Sequence, residues 1–221
     1  FELMVVTILS QLYNQGRVPP IQAAQIGQFA ENHYFGKPCG LMDQTTCAVG
    51  GFVTIDFKDF ADPQVHKVDY DFSHSGYSLA IIGTGGSHAD LTPDYAAIES
   101  EMKSVAQFFG GKVLREFSAG QVLANIPALR EKLSDRAILR ALHFYADDAR
   151  VAEQVAALER GDFAAFLGLV VDSGRSSWTL LQNVYPPRTP HEQGVALALA
   201  VAETILAGRG AWRVHGGGFA R

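Results

Sequence analysis

The sequence predicts an α+β protein, a sheet-and-helix layer without alternating βαβ units. Two observations carry this. Segments of strand character cluster between residues 52 and 82, and 3.6-residue apolar stripes dominate from residue 92 onward. Strands first and helices afterwards is the order of an α+β layer rather than a doubly wound sheet. The totals agree: 221 residues, 48% hydrophobic and 19% charged, supply ample core and exclude a disordered tail.

Taken in order, residues 1–14 read as a helix closed by Gly16 and by Pro19-Pro20. A second helix starts near Pro20 and carries Ile21, Ala24, Ile26 and Phe29 to about Tyr34. Phe52, Val53 and Ile55 form a short strand. Residues 66–72 alternate, with Val68, Tyr70 and Phe72 on one face, and residues 77–82 are an apolar run of strand length. Thr92 caps a helix with Pro93 at its first position, where a missing N–H costs nothing. Its stripe of Tyr95, Ile98, Met102, Val105 and Phe109 stops at Gly110-Gly111. A second stripe runs Ile138, Leu142, Tyr145, Ala149, Ala152, Val155. A third helix follows Gly161-Asp162 with Phe163, Phe166, Leu167 and Val170. The last helix has a capping box, Thr189-Pro190-His191-Glu192, and is apolar nearly all round from residue 195 to 206, which predicts burial. Residues 212–214 make a final strand before Gly216-Gly217-Gly218. A composition shift near Gly50-Gly51 marks the one domain boundary.

Composition also removes whole classes of function. With 18 Lys+Arg against 23 Asp+Glu the net charge is −5, and no basic run invites nucleic acid or an anionic membrane. The longest apolar stretch, residues 194–202, is far short of the about 20 residues of a spanning helix. Cys39 and Cys47 make neither a disulfide framework nor a zinc site, so a reducing compartment is expected. The seven histidines form no i, i+4 ligand pair, and no metal site is expected. Dinucleotide, P-loop and serine-hydrolase fingerprints are absent.

Three places could carry chemistry. In Cys39-Gly40-Leu41-Met42-Asp43-Gln44, a buried Asp43 could take a proton from a substrate hydroxyl, or it could be a helix cap or a solvated acid. In His215-Gly216-Gly217-Gly218-Phe219, consecutive glycines could converge their N–H groups on an anion, or form only a tight turn. Tyr95, in the first turn of its helix, could pack in the core or turn its hydroxyl into a pocket. A fourth segment, residues 83–88, is a glycine-rich loop that shapes a pocket or simply connects strand to helix.

Together these segments resemble the galactose-phosphorylating branch of the GHMP family of small-molecule kinases. Glu31-Asn32-His33-Tyr34-Phe35-Gly36-Lys37-Pro38-Cys39-Gly40-Leu41-Met42-Asp43-Gln44 is similar to the family stretch in which an acidic helix leads into C-G-x-M-D-Q. Arg213-Val214-His215-Gly216-Gly217-Gly218-Phe219-Ala220 resembles the third family motif. Thr84-Gly85-Gly86-Ser87-His88-Ala89-Asp90-Leu91 through Asp94-Tyr95 resembles the segment that brings a tyrosine to the sugar.

The resemblance implies a set of expectations. Asp43 is the catalytic base, Gly40 offers its N–H to the sugar, and Tyr95 contacts the same ring. Gly216, Gly217 and Gly218 lie near the nucleotide phosphates. Residues 1–50 are a helical remnant of the family's N-terminal domain, and residues 51–221 its C-terminal, ferredoxin-like α/β layer. The reaction is transfer of phosphate from ATP to the C1 hydroxyl of galactose, with Mg2+. The alternatives are a family member acting on N-acetylgalactosamine or arabinose, or a non-catalytic sugar sensor of the same fold. A cytoplasmic monomer meeting only sugar and ATP is expected. The E-H-T-D cluster for sugar and magnesium and the G-L-S-S-S phosphate loop have no counterpart in the sequence. The chain is therefore expected to be the C-terminal two-thirds of an enzyme, inactive by itself.

Overall fold

A computed structural model describes residues 1–36, 39–59, 61–86 and 91–219. Backbone contacts divide the chain into two units, Phe1–Phe72 and Ser73–Arg221.

In the first unit, α1 (Glu2–Asn14) ends where Gln15 and Gly16 turn left-handed, and the Gly16 amide returns to the Ser10 carbonyl at 2.9 Å. The next helix, α2 (Pro20–Tyr34), starts on a proline whose φ is already helical. The two helices meet at Gly27, where an added Cβ would lie 3.2 Å from the Leu3 side chain. A third helix, α3 (Met42–Val49), packs on α2 and was not anticipated from the sequence. Strand β1 (Phe52–Asp56) pairs antiparallel with β2 (Gln64–Val68), Thr54 opposite His66. The second strand starts and stops earlier than its alternation predicts, and Phe72 enters a 3-10 turn, Phe72–His74. Because β1 packs on α3, the expected boundary at Gly50-Gly51 falls inside this unit.

The second unit is helical. Its helices are α4 (Thr92–Phe108), α5 (Ala119–Ala124), α6 (Ile126–Arg130), α7 (Asp135–Glu159), α8 (Phe163–Ser176) and α9 (Gly194–Leu206). Val105 and Ala106 of α4 bury against Val122, Leu129, Ala137, Ile138 and Ala141, so α7 is the central rod. The Asp162 carboxylate caps α8 by accepting from the Ala165 amide at 3.0 Å, where Gly161-Asp162 predicts a start. Two expectations change here. Thr189–Glu192 is a turn, closed by the Glu192 amide on the Thr189 carbonyl at 2.9 Å, and α9 starts only at Gly194. Burial of α9 is one-sided: Val195, Ala196 and Leu199 are buried, while Leu197, Val201 and Ile205 are exposed. Among the described residues, 77–82 and 212–214 are not hydrogen-bonded into a sheet, since a strand needs a ladder partner as well as an apolar run. The α+β class stands, with its described sheet in the first unit.

A polar seam joins α7, α8 and the C-terminal segment. The Asp147 carboxylate accepts from Arg150 at 2.7 Å and from the Ser173 hydroxyl at 2.8 Å, and Arg213 donates to that hydroxyl at 2.8 Å. His143 Nδ1 and Ser176 Oγ share a bond of 2.9 Å. Burial pulls the His143 pKa below its ordinary 6.5, although Asp147 opposes the shift; Arg150 and Arg213 reinforce it. Below 6.5 the unfolded chain therefore binds a proton that the folded chain refuses, and stability falls with pH. Between neutrality and about pH 5.5, the urea midpoint of the chain should fall more steeply than that of His143→Gln. Equal slopes would exclude His143 as a source of acid sensitivity.

Candidate functional site

The expected site residues fall in both units, Gly40 and Asp43 in the first and Tyr95 and Gly216–Gly218 in the second. In the first, Cys39 is held by α2 at three points. Its amide donates to Asn32 Oδ1 at 2.8 Å, its carbonyl accepts from Gln28 Nε2 at 3.2 Å, and its thiol donates to Glu31 Oε2 at 3.3 Å. Gln44 Nε2 donates to the same Glu31 oxygen at 3.1 Å. Leu41, between Cys39 and Gln44 in the chain, is 1% exposed. Glu31 thus fixes both the segment leading into α3 and the helix's first turn. Lys37 and Pro38 of the motif lie outside the described residues.

Gly40 follows the clamped Cys39, and no atom outside its immediate neighbours lies within 4 Å of the position its Cβ would take, so its backbone is open to approach. Asp43 stands in the first turn of α3, where the helix dipole favours its negative charge. It is exposed rather than buried, and its carboxylate caps nothing and pairs with nothing among the described residues. Beside it, Gln44 Oε1 and Thr45 Oγ1 are buried polar atoms without a hydrogen-bond partner among the described residues. Neither Cys39 nor Cys47 is in a disulfide among the described residues.

In the second unit, Tyr95 and the glycine triplet meet. The Tyr95 hydroxyl donates to the Gly218 carbonyl at 3.0 Å, and its ring lies edge-on to Phe219 at 5.4 Å. Burial, helped by Asp94, raises the Tyr95 pKa, so the phenol stays protonated and a donor. A Cβ on Gly217 would run into the Tyr95 ring, and one on Gly218 into the Asn183 carbonyl. The φ angles of Gly216 (65°) and Gly218 (77°) are left-handed while Gly217 between them is not, the alternation that lets successive amides converge on an anion. The amides of Gly216, Gly217 and Gly218 make no hydrogen bond among the described residues. Phe219 is left-handed too (65°), a strained setting for an aromatic residue. Its burial against Leu91 and an amide bond to the Asn183 carbonyl hold it there.

Asn183 escaped the sequence reading. It follows the π-helical turn Ser177–Leu181 and the left-handed Gln182, and it is 2% exposed. No spacing rule singles out an Asn whose partner lies 34 residues away; the nearest signal is the helix break before Pro186-Pro187. In the residue 83–88 loop, Gly85 is left-handed and the Thr84 backbone abuts Gly194, while Ser87 and His88 lie outside the described residues. Among the described residues, no group of three or more His, Cys, Asp or Glu could hold a metal ion, and no helix is long and apolar enough to cross a membrane.

Residues 1–51 match the family model for the GHMP kinases N terminal domain. The chain is 32% identical over 203 residues to the galactokinase of Glaesserella parasuis, covering 90% of this chain and 49% of that relative. It is 30% identical to the galactokinase of Streptomyces coelicolor (99% and 53%) and 31% identical to that of Homo sapiens (89% and 46%). It thus spans about half the length of the curated relatives it matches. The crystal structure of Lactococcus lactis galactokinase complexed with galactose superposes with a TM-score of 0.75 at 24% identity, over 99% of this chain and 54% of the other, a likeness of fold. Residues 1–51 are thus similar to the GHMP kinases. Within that class, its sequence is similar to galactokinases over nearly its whole length.

Proposed function

We propose that the whole protein carrying this sequence phosphorylates galactose at its C1 hydroxyl with ATP. The observation that carries this reading is Asp43, an accessible carboxylate, unpaired among the described residues, on a helix start that Glu31 and Cys39 hold in place. Such an acid can orient a hydroxyl and take its proton. The sugar's C1 oxygen then attacks the γ-phosphorus, the bond to the bridging oxygen breaks, and ADP leaves. Gly40 would donate its N–H to the sugar and Tyr95 would touch the same ring. The open amides of Gly216, Gly217 and Gly218 would take phosphate oxygens. Positioning and charge stabilisation are the main demands of phosphoryl transfer, and these residues meet part of them.

Mg2+, when bound, would neutralise phosphate charge. The described residues assemble no ligand set for it, and no step here runs through it.

The whole protein should convert ATP and galactose to ADP and galactose 1-phosphate. The 221-residue chain by itself should not, for it carries neither the phosphate-loop motif nor a described acidic cluster. Product formed faster from N-acetylgalactosamine or arabinose would reassign the substrate. Binding of sugar and ATP without product would make the protein a sensor. Turnover by the 221-residue chain would contradict the division of labour.

A further inference from the structure

We infer that Asn183 is a positioning residue for the glycine turn, setting the direction in which its amides point. This deepens the phosphate-binding reading of Gly216–Gly218 and rests on it. Two adjacent peptides of the turn are each pulled by one side chain. Asn183 Nδ2 donates to the Gly217 carbonyl at 3.2 Å, and the Tyr95 hydroxyl donates to the Gly218 carbonyl. In a trans peptide the C=O and the following N–H point in opposite directions, and the chain has no cis bond among the described residues. Drawing the Gly217 carbonyl onto Asn183 therefore turns the Gly218 amide away from Asn183. Drawing the Gly218 carbonyl onto Tyr95 turns the Phe219 amide the other way, where the Asn183 main-chain carbonyl receives it. One residue thus holds the turn at two successive peptides, with its side chain and its backbone.

The orientation of the Asn183 amide group follows from its partner. Only the NH2 end can face the Gly217 carbonyl, and that leaves Oδ1 buried with no donor among the described residues. Valine or leucine would fill the same space without an unpaired acceptor, so this Asn carries a cost that packing alone does not require. The cost is explained if the fixed direction of the Gly218 amide is what the site uses. Gly218 must in turn be glycine, both for its φ and because any Cβ would strike Asn183.

The test separates this role from general stability. Asn183→Leu keeps the size without adding charge and removes the donor, and Asn183→Ala removes the side chain; both keep the main-chain carbonyl that holds Phe219. The 15N-labelled 221-residue chain is titrated with inorganic tripolyphosphate while the glycine amides are followed by NMR. In the unsubstituted chain the Gly216, Gly217 and Gly218 amides should shift. In both variants the affinity should drop about tenfold, the scale of one well-placed hydrogen bond, with the far-UV circular dichroism unchanged. In the whole protein, the KM for ATP should rise by a similar factor while the KM for galactose stays within about twofold. Should Asn183→Ala fail to fold, the Asn183→Leu variant decides. Silent glycine amides in the unsubstituted chain would overturn the phosphate reading, and this inference with it. Amides that shift with equal affinity in chain and variants would overturn this inference alone.

Discussion

Asp43→Ala in the whole protein is expected to lower kcat by about two to four orders of magnitude, the range of a positioned general base. Folding should be almost untouched, because the Asp43 carboxylate is exposed and holds no partner among the described residues. Its removal forfeits only a favourable charge at a helix start, about 0.3–1 kcal/mol. Asp43→Asn sharpens the result. It keeps the size and a hydrogen-bonding group and loses only the ability to accept a proton, so it should fall nearly as far as Ala. The measurement is steady-state phosphorylation of galactose, with urea melts alongside. A kcat within about tenfold of the unsubstituted enzyme for both variants would remove Asp43 from the role of base.

Arg140→Met should destabilise the second unit by about 3 kcal/mol. Arg140 is 1% exposed, and its guanidinium donates to Glu101 Oε2 at 2.9 Å and to the Leu181 carbonyl at 3.1 Å. Burial pulls its pKa down while Glu101 pulls the other way; Arg136, bonded to the same carboxylate, is raised. Methionine fills the volume but leaves Glu101 with one cation instead of two and strips the Leu181 carbonyl of its donor. Arg136 still answers Glu101, which keeps the loss at the lower end for a broken buried pair. Urea denaturation of the chain measures it, and a double-mutant cycle with Glu101→Gln isolates the pair. A loss under about 1 kcal/mol would show that Arg140 is a bystander in the core.

Which parts of this structure could be read in the sequence depends on how far each signal reaches. The helices α4, α7 and α8 and the Asp162 cap are written within a few residues, and the structure has them there, although Thr92 opens α4 rather than capping it and Ala149 and Ala152 of the α7 stripe are exposed. Thr189-Pro190-His191-Glu192 is just as local and misled. The same residues satisfy a turn, and Gly194 against the Thr84 backbone sets where α9 starts. The helix α3 was invisible because Thr45, Thr46 and Val49 are poor helix formers; its order comes from Glu31 reaching across to Cys39 and Gln44. The motif residues were legible through the family resemblance. Asn183 and Glu101 were not, since their meaning lies in partners 34 and 39 positions away.

The hydrogen bond from Tyr95 to Gly218 spans 123 positions of the chain. Contacts that distant close the largest loops, and the entropy of closing them must be overcome before they return any free energy. The helices between can form from neighbours alone, whereas the glycine turn acquires its shape only when the two ends of the second unit come together. On the proposed reading, phosphate binding would consequently be a property of the finished unit and of no segment within it.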